Sequence, residues 1–207
     1  MSLILASSSP FRKAILERLG VPFITASPDI DESRNTSESP YELVYRLSEE
    51  KAKEVAKTHS GIIIASDQVA TLDTGNKTND EIFNKPGTHE NAFLQLKKSS
   101  GKTVTFLTGI ALLNTETSAI QVHVEPFKVN FKQLTDNQIS SYLEKEDVLN
   151  CAGSFKSEGL GIALFSSMEG RDPNSLIGLP TIKLIEKCFM NFLPEVLGQQ
   201  PHRVNRQ

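Results

Sequence analysis

The apolar residues of this chain fall into two rhythms. Leu3-Ile4-Leu5-Ala6 and Ile62-Ile63-Ile64-Ala65 are short unbroken apolar runs, the pattern of strands buried on both faces of a sheet. Thr103 to Asn114 and Gln121 to Lys132 read as a hairpin, the second strand alternating through Val122, Val124, Phe127, Val129 and Phe131 with a shift at Pro126. A further strand is predicted from Gly161 to Phe165. The other rhythm is helical: Leu43, Val44, Leu47, Ala52, Val55 and Ala56 recur at the spacing of one helix face.

Polar punctuation marks the helix ends. Ser9 is a good N-cap, Pro10 sits at a first helical position whose N–H has no partner, and Gly20 suits the left-handed C-terminal cap. Ser39 with Glu42 is a capping box opening a helix to about residue 59, and Thr135 with Gln138 is another, opening a helix to about residue 146. Thr88 caps a helix over 89–99 that Gly101 ends, and Pro180 begins a last helix to about residue 193. Residues 73–84 read as an exposed loop or loose hairpin, and 166–174 as a loop. Strands and helices interleave without repeats, with antiparallel strands in the middle. The expectation is a mixed-sheet α/β fold with two lobes and an interlobe cleft, one domain over 1–197, and a polar, frayed tail over 198–207.

Composition narrows the function classes. The chain has 207 residues, 38% of them apolar, and a formal net charge of −3. It contains no long basic block, so a nucleic-acid polymer is not the expected partner. It contains no apolar run long enough for a membrane span and no recognisable secretion signal. The two cysteines, Cys151 and Cys188, form no CxxC and fit a reducing cytoplasm. The four histidines show no ligand spacing for zinc. A small ligand fits this chain better than a polymer. The oligomeric state stays open, a homodimer included.

Chemistry concentrates in a few places. Ser7, Ser8 and Ser9 line the turn from the first strand into the first helix, with Arg12 in its first turn. Free N–H groups and the positive dipole end make such a turn an anion site; Arg12 is out of place there on dipole grounds unless an anion joins it. An ordinary capped βα unit with a surface arginine explains the same residues equally well. Asp67 follows a buried strand, where α/β sheets gather ligands, although an Asp there is more often a turn former. Asp29, Asp31 and Glu32 form an acidic cluster whose oxygens suit Mg²⁺ or Mn²⁺, or simply a solvated loop. Lys51 and Lys85 could offset phosphate charge, but helix lysines are usually solvated. The stretch from Cys151 to Gly161 carries Gly153, Gly159 and Gly161, with Phe155 able to pack against a base and Glu158 able to accept from a guanine edge. A flexible surface loop is the competing reading. Arg171 and Asp172 look like a structural ion pair.

Taken in order, Ser7-x-Ser9-Pro10-x-Arg12, Asp31-Glu32, Glu50-Lys51-Ala52, Ser66-Asp67-Gln68, Lys85-Pro86, Thr108-Gly109 and the glycine-rich segment at 152–161 resemble the Maf family of nucleoside triphosphate pyrophosphatases. The resemblance runs from Leu3 to about Ile185. It implies a two-lobed α/β fold related to the inosine triphosphate pyrophosphatases, with substrate in the cleft. Phe11 and Glu158 resemble the branch that hydrolyses 7-methyl-GTP, in which Trp usually stands at the position of Phe11. Members acting on dTTP and UTP carry Arg and Gln at these two positions.

The resemblance implies hydrolysis of the α–β phosphoanhydride in the presence of a divalent cation, Mg²⁺ or Mn²⁺. In that scheme Asp67 orients or deprotonates the attacking water, and Glu32 and Asp67 hold the metal. Arg12, Lys51 and Lys85 balance phosphate charge, Ser7 and Ser9 seat the phosphate chain, and Phe11, Gln68 and Glu158 read the base. Two rivals stand beside it: a dTTP/UTP enzyme of the same family, and a non-catalytic nucleotide-binding regulator of cell division.

Overall fold

The computed structural model describes residues 2–72 and 81–188, the side chains of Lys187 and Cys188 excepted. Strand β1 (Leu3–Ala6) leads into α1 (Pro10–Glu17), and a short strand β2 (Ile24–Ala26) precedes α2 (Pro40–Ala56). Then come β3 (Ile62–Leu72), β4 (Glu81–Phe83), α3 (His89–Ser99), and the long strands β5 (Thr103–Asn114) and β6 (Ala119–Phe131). Helix α4 (Asp136–Leu143), two 3₁₀ turns at Ala152–Ser154 and Leu160–Leu164, β7 (Phe165–Gly170), α5 (Pro173–Ile177) and α6 (Thr181–Cys188) complete the described chain. No described helix is long and apolar enough to cross a membrane.

The caps form as their residues dictate. Ser9 Oγ accepts from the Arg12 N–H, and both capping boxes, Ser39 with Glu42 and Thr135 with Gln138, close in both directions. The strands make one seven-stranded mixed sheet in the order β2-β1-β3-β5-β6-β7, with β4 on β3. β1 runs parallel to β2 and β3, and the remaining pairs are antiparallel.

Strand alternation divides the core between two faces. Ile63, Ala65, Ala111 and Leu113 meet Ala52 and Val55 of α2, and Val69 and Val124 meet Leu43, Val44 and Leu47. On the opposite face there are two separate clusters. Ile64, Ile110 and Leu112 pack with Ile15 and Leu16 of α1 and with Leu179 and Leu184. Ala70, Leu72, Val104, Phe106, Phe127 and Val129 pack with α3 and α4. These two clusters are the cores of the two lobes. Gly109 lets α2 lie close on β5, because a Cβ there would run into Ser48 Oγ and the Val44 carbonyl.

Several expectations are corrected. β3 does not end at Ala65 but continues to Leu72, so Asp67 and Gln68 lie within the strand. The change of parity around Pro126 is not a register shift. β6 pairs with β5 without interruption, and burial passes from the α2 face at Val124 to the opposite face at Phe127. Pro126 is tolerated because pairing with β7 begins only at Phe127. The strand expected over 161–165 is a 3₁₀ turn, since the Gly161 N–H folds back to the Lys156 carbonyl. The true strand, β7, and helix α5 occupy the stretch read as a loop; β7 is almost wholly exposed, so no apolar alternation marks it. β2 is too short to show a period. The loop or loose hairpin expected over 73–84 lies mostly outside the described residues, and its described end is β4, antiparallel to β3. The tail over 198–207 and the end of the last helix also lie outside them.

Candidate active site

The site is built at a gap in the sheet edge. β1 covers one edge of β3 as far as Ala65, and β4 covers the same edge from Ala70 to Leu72. Between them, Ser66 to Val69 have a strand neighbour only on the β5 side. The gap gives access to both faces of β3, and a cleft of about 760 Å³ opens there, the size of a small-ligand pocket. Its walls are the β1–α1 turn, α2, the Asn84-Lys85 corner and the segment from Asp147 to Glu158. All ten residues to which the family resemblance gives a role line this cleft.

Asp67 is buried, and its amide donates to Ser48 Oγ at 3.1 Å, while Ser48 Oγ donates to the Val44 carbonyl at 2.7 Å. Ser48 therefore holds the strand against the helix at the carboxylate. One turn later on the same helix, Lys51 is buried rather than solvated, contrary to the ordinary expectation for a helix lysine. Its Nζ lies 2.5 Å from Asp67 Oδ1 and 2.8 Å from Glu32 Oε1. One ammonium thus joins two carboxylates that are far apart in sequence.

Glu32 arrives on an irregular segment that Arg46 ties to α2. The Arg46 guanidinium donates to both Glu38 oxygens, at 2.6 and 2.9 Å, and to the Ser33 carbonyl at 2.9 Å. That fork holds the Glu38 carboxyl below the usual carboxylate range. Of the acidic cluster only Glu32 lines the cleft; Asp29 is exposed, and Asp31 accepts from the Ser33 amide.

Across the cleft, Ser7 is buried at the end of β1, and its Oγ accepts from the Ser9 amide at 3.1 Å. Arg12 does not wait for an anion. Its Nε donates to the Gly178 carbonyl at 2.8 Å and its Nη1 reaches Ser7 Oγ at 3.5 Å. Burial lowers its pKa, partly countered by Asp67 and Glu32, and a guanidinium still stays charged at neutral pH. Phe11 is half-buried on the same wall, with Lys156 Nζ 6.0 Å from its ring centre. Lys85 and Glu158 are exposed at the rim.

The glycine-rich segment is less of a surface loop than its polarity indicates. Gly153 and Ser154 both take positive φ, and a Cβ on Gly153 would crowd Phe106. Phe155 does not present its ring to a base. It is buried edge-on against Phe106, Phe131 and Phe165, with centroids 5.2, 5.7 and 4.7 Å away. Arg171 and Asp172 do not pair with each other. Arg171 meets Glu125 and Glu186, while Asp172 caps α5 and accepts from the Ile182 amide at 2.6 Å. Asp172 has extended backbone, and neighbouring side chains diverge in such a segment.

Sequence reasoning assigned no role to Ser48, Arg46 or Lys156. Lys156 stood inside a segment already singled out; the other two have no signal before α2 is seen against β3. Cys151 is a free thiol in the cleft wall, raised to about 11 by burial.

A buried lysine joining two carboxylates, a serine-rich helix start and an arginine all line one cleft, a combination of charge and donors that suits a phosphorylated small molecule. Residues 2–188 match the family described as Maf-like protein, and the chain belongs to that family. A protein of Pseudoalteromonas atlantica (strain T6c / ATCC BAA-1087) named 7-methyl-GTP pyrophosphatase is 56% identical over 185 residues, 89% of this chain and 92% of that protein. One of the same name from Alcanivorax borkumensis (strain ATCC 700651 / DSM 11573 / NCIMB 13689 / SK2) is 54% identical over 186 residues, 89% of this chain and 91% of that protein. The solved structure of the Staphylococcus aureus Ham1 protein aligns with a TM-score of 0.46 at 12% identity, over 78% of this chain and 90% of that one.

Proposed function

We propose that this protein is a nucleoside triphosphate pyrophosphatase that converts 7-methyl-GTP and water into 7-methyl-GMP and pyrophosphate. Its family and the names of its two relatives support the reading. The observation that carries it is the Lys51 ammonium set between Asp67 and Glu32 on the cleft wall. A purely structural ion pair has no need of a second carboxylate brought in on an irregular loop.

The chemistry follows from these positions. The triphosphate lies between the β1–α1 turn, where Ser7 and Ser9 face the cleft, and Lys51. Water attacks the α-phosphorus; its oxygen forms the new bond as the α-phosphorus–bridging-oxygen bond breaks in line. Asp67 accepts the proton released by the water, a contribution of about 10²–10⁴ in rate. Arg12 and Lys85 stabilise the charge that builds on the non-bridging and leaving oxygens. Phe11 stacks on the cationic methylated ring, more weakly than Trp would. Glu158 accepts from the purine N1–H and amino group and complements the ring's positive charge.

Glu32 and Asp67 are also a donor set that suits Mg²⁺ or Mn²⁺, which take one or two carboxylates together with substrate phosphates. These two residues would hold the cation, which when bound neutralises triphosphate charge and polarises the phosphorus. Among the described residues no group of three or more His, Cys, Asp or Glu could hold a metal, so the rest of the shell would come from substrate oxygens and water. The role we assign is removal of a modified nucleotide from the cytoplasmic pool before it enters RNA.

Product analysis tests the reading directly, with purified protein, Mg²⁺ or Mn²⁺, and GTP, 7-methyl-GTP, dTTP, UTP and CTP. We expect preference for 7-methyl-GTP, pyrophosphate as the second product, and a loss of about 10²–10⁴ in kcat for Asp67→Asn. Orthophosphate in place of pyrophosphate, or an Asp67→Asn variant with near-full activity, overturns the mechanism. Preference for dTTP or UTP overturns the base assignment alone.

A further inference from the structure

A polar row crosses the sheet between the two lobe cores. Gln68 pairs with Thr108 across β3 and β5, Thr108 pairs with Glu125 across β5 and β6, and all three lie on the face that α5 covers. Thr108 and Ser175 are completely buried. The Gln68 amide nitrogen donates to the Ser175 carbonyl at 2.8 Å, to Thr108 Oγ1 at 2.9 Å, and to the Leu176 carbonyl at 3.1 Å. The Thr108 hydroxyl gives its own proton to the Ser175 carbonyl at 2.8 Å, so towards Gln68 it can only accept.

Two amide protons are therefore committed among three acceptors. The flipped amide would set its oxygen against the Ser175 and Leu176 carbonyls, repelling both and taking the Gln68 donor away from the Leu176 carbonyl. The orientation follows from the partners and needs no observation of hydrogens. Gln68 lines the cleft, and the group it can offer there is its carbonyl oxygen.

We propose that Thr108 is a positioning residue that, together with the Ser175 and Leu176 carbonyls of α5, locks Gln68 as an acceptor, and that Gln68 accordingly takes a hydrogen-bond donor of the nucleoside half, a sugar hydroxyl or the base amino group, and not a phosphate oxygen. The ligand half of this inference rests on the reading given under Proposed function; the amide lock does not.

The test compares wild type, Thr108→Ser and Thr108→Val. In ¹⁵N-labelled protein without nucleotide, the Gln68 side-chain amide, assigned by its loss in Gln68→Glu, is expected to be protected from hydrogen exchange in wild type and Thr108→Ser and to exchange faster in Thr108→Val, where only the Ser175 and Leu176 carbonyls still accept from it. Rapid exchange in wild type overturns the lock. In steady-state assays Thr108→Val should raise KM for 7-methyl-GTP about 3- to 10-fold, the scale of one hydrogen bond, with kcat changed less than twofold and Thr108→Ser restoring the wild-type value. A lower Tm with unchanged KM would reduce Thr108 to a purely structural residue and overturn the proposal.

The 2′-deoxy, 3′-deoxy and 7-methyl-inosine analogues separate the two donors. The analogue that lacks the atom in contact should show no further rise in KM on Thr108→Val, while the others should. If every analogue responds to the substitution equally, neither a sugar hydroxyl nor the base amino group meets Gln68 and the ligand half fails. If wild type turns over no nucleotide, the function fails, and the exchange result still decides the lock.

Discussion

At the scale of the residue, the site depends on side chains whose neighbours contradict their ordinary behaviour. Lys51 is a helix lysine by sequence and a buried ion-pair partner in the fold. Cys151 is half-buried in a cleft wall, yet burial raises its thiol to about 11. The thiolate is the reactive form, so we expect negligible alkylation of Cys151 by iodoacetamide at pH 7 in peptide mass spectra, rising as the pH nears that value. Glu158 is exposed at the rim, and its proposed contribution is charge complementarity as well as hydrogen bonding. Glu158→Gln should lower the 7-methyl-GTP over GTP preference in kcat/KM about 3- to 10-fold, the difference between a charged and a neutral hydrogen bond. An unchanged ratio would remove Glu158 from base recognition.

At the scale of the element, α2 does more than fill one face of the sheet. Its buried side carries Ser48 to the Asp67 amide and Lys51 to the Asp67 carboxylate, and Arg46 holds the Glu32 loop. Arg46→Gln keeps a polar side chain but loses the fork to Glu38. We expect a higher Mg²⁺ requirement for activity and little change in kcat at saturating Mg²⁺, read from metal titrations. The same pair sets a pH dependence. The Glu38 carboxyl is depressed in the folded state, so its contribution to stability is present above the unfolded-state carboxylate pKa and is lost as the pH falls through the folded one. Wild type should therefore exceed Arg46→Gln in urea midpoint at pH 7, and the gap should narrow on acidification below the ordinary carboxylate range. A gap that widens in acid would contradict the pairing.

At the scale of the whole molecule, the cleft exists because two cores share one face of one sheet. The polar row and α5 fill the boundary between them, and the missing strand neighbour at Ser66–Val69 opens it at the edge. Phe155 belongs to the larger core and is 5% exposed. Phe155→Leu should cost about 1 kcal/mol of stability, or roughly 2–4 °C in Tm by calorimetry, with KM for 7-methyl-GTP within twofold of wild type. A large rise in KM at unchanged Tm would return Phe155 to the base site.

Local chemistry accounts for what was legible beforehand. Caps, the alternating and helical periods, and the serine-rich helix start depend on neighbours within a few positions, so α1 to α4, β1, β5 and β6 and the serine-rich turn can be read from the chain itself. The ordered motifs likewise picked out ten of the residues that line the cleft. What required the tertiary structure is whatever depends on partners distant in sequence. The length of β3 is decided by its pairing with β5 and β4, not by its own apolar run. Phe155 lies in a polar stretch and is buried because three other rings close around it. The meeting of Glu32, Lys51 and Asp67, and the direction in which Gln68 turns its amide, arise from segments that only the folded sheet brings within hydrogen-bond reach, and hydrogen bonds act over about 3 Å however far apart their partners lie along the chain.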